Sequence, residues 1–377
     1  MLVVYGVRPE AIKVAPLIAQ LEQHPRIDVV PVVTGQRGEG LDQLNAAFGI
    51  SPRFDLDIAE TGATLSKVFA ATVESVDGLI EQERPNAVVV QGDTTSAVAA
   101  GLAAFHRQVP LVHLEAGLRS GDISSPFPEE ANRLLLSKIA TLHLAPTSAS
   151  RDNLLHEGVR LSDIRVTGNT VIDALQSVVS SRDVVSDPEL QARLETAKRV
   201  LLVTAHRREN WGAPIENISD ALRAIAEANP DLTIVFPMHK NPLVREKIRS
   251  RLEGLSNVAL VDPLSYADFA VLMARSYLVL TDSGGVQEEA PSLGKPVLVM
   301  RENTERPEAL SAGTVKLIGT NRDRIIKEVT TLLSDQRAYQ RMAQATNPYG
   351  DGKAGIRAAS AISSLLGVGR PMPDFRG

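Results

Sequence analysis

The segment Thr281–Val297, TDSGGVQEEAPSLGKPV, sets a serine, two glycines and two adjacent glutamates directly behind an apolar run. Ser283 is placed to cap a following helix, and Gly284 and Gly285 let backbone amides come close to a ligand. The free N–H groups of such a helix start attract an anion. Glu288 and Glu289, about a turn later, are placed to accept hydrogen bonds from sugar hydroxyls. A phosphate beside a hydroxyl-binding acid suggests a nucleotide. Gly294 reads as the helix stop, and Lys295-Pro296 as the lead into the next strand. A plain strand-to-helix turn with a solvated acidic face fits the same residues, so the segment decides nothing alone.

Other segments add to it. In GVRPEAIK, Gly6 allows a tight turn and Pro9 suits the first turn of a helix. Arg8 and Lys13 then stand near a helix N-terminus, where positive charge is unfavourable unless an anion joins it. That favours a phosphate role over two surface cations. In QGDTTS, Asp93 precedes a helix of small residues, and taken alone it reads more simply as an N-cap. In EAGLRSGD, Glu115 ends a strand that should be buried, and a carboxylate there needs a partner or a function. In PFPEEANR, Pro128 opens a helix with Glu129 and Glu130 in its first turn, where acids are ordinary dipole partners. Together, Asp93, Glu115 and Glu129 beside two cations can supply a general base and a general acid to one pocket.

The second half carries cations. TAHRRENWG places His206, Arg207 and Arg208 after a strand, FPMHKNP does the same for His239, and MRENTERPEAL for Arg301 and Arg306. Cations opposite a Ser-Gly-Gly cradle suggest a diphosphate clamp. Phe269 lies in a helical stretch where core packing is the simpler reading, and Trp211 lies in a loop, where packing alone explains it. The sequence has no cysteine and no His-x-x-His spacing, which argues against a zinc site, and nothing in it calls for a cofactor.

The elements that must position these residues alternate. Apolar runs at Leu2–Tyr5, Val29–Val33, Ala87–Val90, Leu111–Leu114 and Leu142–Ala145 are separated by amphipathic stretches. So are those at Val200–Val203, Thr233–Phe236, Val258–Val261, Tyr277–Leu280, Val297–Met300 and Val315–Ile318. This is βαβα order, which predicts parallel sheets with helices on both faces. The 377 residues allow roughly two domains. We expect an α/β chain of two Rossmann-like, doubly wound domains facing each other across a cleft. The first spans 1–167, with the helix at about 354–372 packing back on it, and the second spans 168–353. Ligands of such sheets bind outside the carboxyl ends of the strands, where the residues above fall. Aromatic residues at 4% and a net charge of −5 without a basic block argue against nucleic acid or an anionic membrane as partner. With neither a signal peptide nor an apolar span in view, the reading is a cytoplasmic protein.

Several of these segments match one family. GVRPEAIKVAPL, QGDTTS, HLEAGLRS, PEEANR, TGNTVIDAL, TAHRREN, TDSGGVQEEAPSLGKPVLVMRENTERPEAL and NPYGDGKA occur in this order over nearly the whole chain. The set resembles the bacterial non-hydrolysing UDP-N-acetylglucosamine 2-epimerases. The resemblance implies a glycosyltransferase-B type fold, usually a homodimer, that interconverts UDP-N-acetylglucosamine and UDP-N-acetylmannosamine for cell-surface polysaccharides. It implies that Ser283, Gly284 and Gly285 cradle the diphosphate, that Glu289 holds the ribose hydroxyls and that Phe269 lies beside the uracil. Arg8, Arg133, His206 and Arg306 would contact the substrate. Asp93, Glu115 and Glu129 would be the catalytic acids, with His206, Arg8 and Lys13 meeting the charge of the departing UDP. Which acid serves which face of C2 stays open.

One departure stands out. Where many members read Gln-His-Arg, this chain reads Gln36-Arg37-Gly38-Glu39-Gly40, and Gly62 stands where a further arginine is usual. In members activated by their own substrate, that loop helps bind a second UDP-N-acetylglucosamine. Gln36, Arg208 and His239 are retained, so the expectation is a regulatory site altered or lost. Three other readings fit parts of the pattern: a hydrolysing epimerase, a glycosyltransferase of the same architecture, and a UDP-sugar sensor. The transferase would not need the three acids, and the sensor would tolerate Asp93→Asn.

Overall fold

Val3 and Tyr5 of the first strand face one apolar core, while Leu2 and Val4 face another. This period-two alternation, with both sides apolar, is what a parallel strand covered on both faces requires. The computed structural model describes residues 1–35, 40–58, 62–304 and 306–377, the side chain of Arg208 excepted. It divides into two compact units, Met1–Ala174 with Tyr349–Gly377, and Leu175–Pro348.

In the first unit, β1 (Leu2–Tyr5), β2 (Val30–Val33), β3 (Phe54–Asp55), β4 (Val88–Gln91), β5 (Leu111–Leu114), β6 (Leu142–Ala145) and β7 (Ile164–Val166) form one sheet. Its order is β3-β2-β1-β4-β5-β6-β7, and every pairing is parallel. Four helices matter to the site: α1 (Arg8–Glu22), α2 (Thr95–His106), α3 (Glu129–Ile139) and α4 (Thr170–Ser181). Val14, Leu17, Ile18 and Leu21 of α1 join Ala358 and Ile362 of the closing helix Ala354–Leu365 in the core on one face. Val98, Ala100 and Ala104 of α2 join Leu136 of α3 in the core on the other.

The division between units falls inside α4, at Ala174/Leu175, rather than at 167/168. The start of α4 is tied to the returning chain. Asn169 N–H donates to the Tyr349 carbonyl at 2.6 Å, and Asp173 accepts from the N–H groups of Ala354 (3.1 Å) and Gly355 (2.8 Å).

The second unit holds β8 (Arg199–Thr204), β9 (Leu232–Pro237), β10 (Val258–Val261), β11 (Leu278–Thr281), β12 (Val297–Val299) and β13 (Val315–Leu317), in the order β10-β9-β8-β11-β12-β13, again all parallel. Helices α5 (Tyr266–Arg275) and α6 (Gly284–Glu289) bear on the site. Each sheet reverses its strand order once, between β1 and β4 in the first unit and between β8 and β11 in the second. Those reversals are where an open α/β sheet leaves room for a ligand at its strand carboxyl ends. Among the described residues, no helix is long and apolar enough to cross a membrane.

Candidate functional site

In the first unit, the segments leaving β1, β4 and β5 bring four expected residues close to the strand-order reversal. Glu115, directly after β5, is 8% exposed and adopts φ 67°. Its carboxylate is gripped by Lys13 of α1, whose Nζ lies 2.6 and 2.5 Å from the two oxygens. Gln91 at the end of β4 donates to the same carboxylate, as does Asn169 Nδ2 at 3.3 Å. The partner demanded by a buried acid is therefore a lysine 102 positions away. Lys13 meets a protein anion here, which answers the question its position near a helix start raised.

Asp93, two residues beyond β4, does not cap α2. The cap is Thr94, whose Oγ1 accepts the Ala97 N–H at 3.1 Å. The Asp93 carboxylate instead meets Arg133 of α3, with Nε at 2.8 Å and a second guanidinium nitrogen at 2.6 Å. Arg133 also reaches Glu130 at 3.0 Å, so Glu130 is a buried structural partner and not a solvated dipole acid. Glu129 begins α3, half-buried, and among the described residues no hydrogen bond or ion pair engages its carboxylate. Pro128 stands one residue outside the helix, at its N-cap position.

Arg8 is exposed at the start of α1. Gly6 has another reason to be glycine than a tight turn. A Cβ there would lie 2.2 Å from Thr34 Oγ1, so the requirement is close approach.

In the second unit, Asp282, 0% exposed, gathers the segment after β8. It accepts from the backbone N–H groups of His206 (2.9 Å) and Arg207 (3.0 Å) and from Asn210 Nδ2 (2.9 Å). His206 Nδ1 lies 2.9 Å from the same carboxylate while its side chain is 50% exposed. Burial opposes charge on Asp282, but the His206 hydrogen bond and charge and the Arg207 and Asn210 donors outweigh it and hold the carboxyl below its usual range. With Nδ1 bound to Asp282, the Nε2 edge of His206 is the one left for a ligand.

Ser283 occupies the N-cap position of α6, though its side chain makes no capping bond, and α6 is only 6 residues long. Arg306 lies against Gly284, where a Cβ would be 2.6 Å from Nη1. Its Nε binds Glu288 Oε1 at 2.6 Å. Glu288 is thus an ion-pair partner, and Glu289 is the acid of the pair that meets Tyr266, whose hydroxyl donates to it at 3.4 Å. Phe269 follows Tyr266 by three positions on α5, so the two share a helix face. It is half-buried and stands outside the cluster of fully buried core residues. Arg301 is paired with Glu209 at 3.1 Å. The His239 ring lies tilted against Trp211, ring centroids 5.8 Å apart, and its Nδ1 accepts the Asn241 N–H at 3.1 Å. Gln36 and the Arg208 side chain lie outside the described residues.

Sequence reasoning missed Gln91, Asn169, Asp282 and Tyr266. Asp282 carried a signal, an acid between two hydroxyl residues at a strand's carboxyl end. The other three look like ordinary polar residues until the fold pairs them. Among the described residues, no cluster of three or more His, Cys, Asp or Glu is arranged to hold a metal ion.

The chain is similar to known proteins in sequence and in fold. The family model described as UDP-N-acetylglucosamine 2-epimerase matches residues 19–363. A UDP-N-acetylglucosamine 2-epimerase of Yersinia pestis is 48% identical over 372 residues, covering 97% of this chain and 98% of its own. A crystal structure of a Listeria monocytogenes protein described as a putative UDP-N-acetylglucosamine 2-epimerase superposes with TM-score 0.94 at 46% identity, covering 100% of this chain and 99% of its own. A Neisseria meningitidis UDP-GlcNAc 2-epimerase bound to UDP-GlcNAc gives TM-score 0.84 at 43% identity, covering 97% of this chain and 99% of its own.

Proposed function

The chain belongs to the UDP-N-acetylglucosamine 2-epimerase family, and we propose that it interconverts UDP-N-acetylglucosamine and UDP-N-acetylmannosamine without releasing the free sugar. The observation that carries the reading is the pair of acids at neighbouring strand ends, Asp93 after β4 and Glu115 after β5, each held by its own cation, with Glu129 nearby in sequence to Arg133 and engaged by neither.

The chemistry explains why such a set is needed. C2 of the sugar has no carbonyl beside it, so its proton is too weakly acidic for direct removal. Breaking the anomeric C–O bond first lets UDP leave with the bonding electron pair, through an oxocarbenium-like transition state. A carboxylate then takes the C2 proton, giving 2-acetamidoglucal. Return of a UDP oxygen to C1, with a proton delivered to the opposite face of C2, yields the epimer. Two faces call for two proton-transfer groups, drawn from Asp93, Glu115 and Glu129. Lys13, Gln91 and Asn169 orient Glu115, and Arg133 orients Asp93. The nucleotide end falls to the second unit. The Ser283-Gly284-Gly285 turn, with Arg306 and His206, cradles the diphosphate, Glu289 holds the ribose and Phe269 lies beside the uracil. Arg8 and His206 meet the charge that grows on UDP as it leaves. The scheme draws on no cofactor.

A homodimer and a cytoplasmic location are part of the same reading, the first from the family resemblance and the second from the nucleotide-sugar substrate. The altered segment at Gln36–Gly40 points to loss of substrate activation through Gln36, Arg208 and His239. Initial rates that rise linearly at low substrate would support that loss, and a sigmoid curve would refute it.

The test of the main reading is separation of products after incubation with UDP-N-acetylglucosamine. UDP-N-acetylmannosamine as the product supports it. Accumulation of free N-acetylmannosamine with UDP would replace it with the hydrolysing reaction. Turnover only with an added sugar acceptor would replace it with transfer.

A further inference from the structure

Glu10 lies on α1 at 2% exposure, and its carboxylate joins two loops of the first unit. Oε2 accepts the backbone N–H groups of Gly6 at 2.6 Å and Val7 at 3.0 Å, just beyond β1. Oε1 accepts the Thr94 hydroxyl at 2.6 Å, just beyond β4. Thr94 also caps α2. The first of these loops leads into Arg8 and Lys13, and the second carries Asp93. A buried carboxylate with three donors and no cation among those contacts is an expensive way to close a helix start. Glu10 is the N3 residue, from which a carboxylate ordinarily reaches back to the N-cap amide, but that role alone does not call for the Thr94 hydroxyl across the strand-order reversal.

We propose that Glu10 is a positioning residue for the proton-transfer groups, locking the α1 start that bears Arg8 and Lys13 to the turn that bears Asp93. The inference rests on the epimerase reading above. The charged groups around it are Arg8 and Lys13 on its own helix, the second held by Glu115, and Asp93 across the gap, held by Arg133. Burial pushes the Glu10 carboxyl up to about 7, against the Thr94, Gly6 and Val7 donors and with help from the Asp93 charge. Because this folded value lies above the unfolded one, the folded chain binds more protons between them. Stability therefore falls as pH rises from the ordinary glutamate range to about 7.

Two variants separate position from charge. In Glu10→Gln, the amide oxygen can accept the two N–H groups and the NH2 can donate to Thr94. We expect kcat within a few-fold of wild type near neutral pH, and thermal stability at pH above the Glu10 value that equals or exceeds wild type. In Glu10→Ala the lock is gone, and kcat should fall about 100-fold with little change in KM. Wild-type kcat in Glu10→Ala would overturn the proposal. So would a Glu10→Gln enzyme as slow as Glu10→Ala, because the acid itself would then be what the reaction uses. Should Glu10→Ala fail to fold, Thr94→Val takes its place: a drop in kcat restored by Thr94→Ser supports the lock, and unchanged kcat overturns it. A wild-type protein inactive on UDP-N-acetylglucosamine would indict the epimerase reading instead. The lock would then be read from hydrogen exchange at the Gly6 and Val7 amides, slow in wild type and Glu10→Gln and fast in Glu10→Ala.

Discussion

The strand-order reversals of the two sheets carry opposite chemistry. At the first reversal the acids Glu115 and Asp93 are paired with cations of the same unit, Lys13 and Arg133. Between β8 and β11 the buried acid Asp282 organises backbone and imidazole donors, and the His206 ring stays half exposed. A carboxylate held in place by its own cation is suited to meeting a neutral sugar carbon in a fixed position. A half-exposed imidazole is suited to a ligand that brings its own negative charge. Fold alone does not make this distinction, since both sheets follow the same winding rule.

The sharpest way to break this contrast is to neutralise the first set. Asp93→Asn and Glu115→Gln keep shape but remove the base, and each should cut kcat by roughly 1,000-fold or more while KM changes little. A variant that mainly raised KM would move its residue to the binding set. Next in size is Asp282→Asn. It removes the charge that orients His206 Nδ1 and should lower kcat/KM about 100-fold, visible in steady-state kinetics. Smaller again is Gly284→Ala. Its new Cβ, 2.6 Å from Arg306 Nη1, pushes the guanidinium aside. Affinity for UDP, read by calorimetry, should weaken about tenfold, with kcat near wild type.

The last prediction concerns stability and not turnover. Burial lowers His113 to about 3 and His143 to about 4, and among the described residues neither Nδ1 has a hydrogen-bond partner. Below the ordinary histidine value of 6.5 the unfolded chain takes up protons that the folded one refuses. Stability is therefore full above that value and declines as pH falls toward 4, by about 1.4 kcal/mol for each unit separating the two states of a group. His143→Leu should flatten the acid side of a plot of Tm against pH.

Strands buried on both faces announce themselves as apolar runs, and β1, β5, β6 and β10 have the limits expected of them. A polar residue extends the end of β4 to Gln91 and of β11 to Thr281, both buried, while β2, β12 and β13 each drop one apolar residue, Val29, Met300 and Ile318. The short β3 and β7, two and three residues long, leave no periodicity to read. The site was legible at strand ends and illegible in its pairings. Lys13 reads as an anion-seeking cation from its helix position, but only the fold shows that its anion is Glu115. Asp93 and Thr94 are equally good caps by composition, and Arg133 draws the carboxylate of the first away. Asp282 stands in sequence as an acid between two hydroxyl residues at a strand end, but only the fold shows that it holds the amides of His206 and Arg207.

In the proposed reaction the first unit's acids move the C2 proton. Proton NMR of the purified protein with UDP-N-acetylglucosamine in D2O tests it most directly. The expected result is UDP-N-acetylmannosamine with deuterium at C2 of both sugars. Retention of the original hydrogen at C2 with no epimer formed would contradict it.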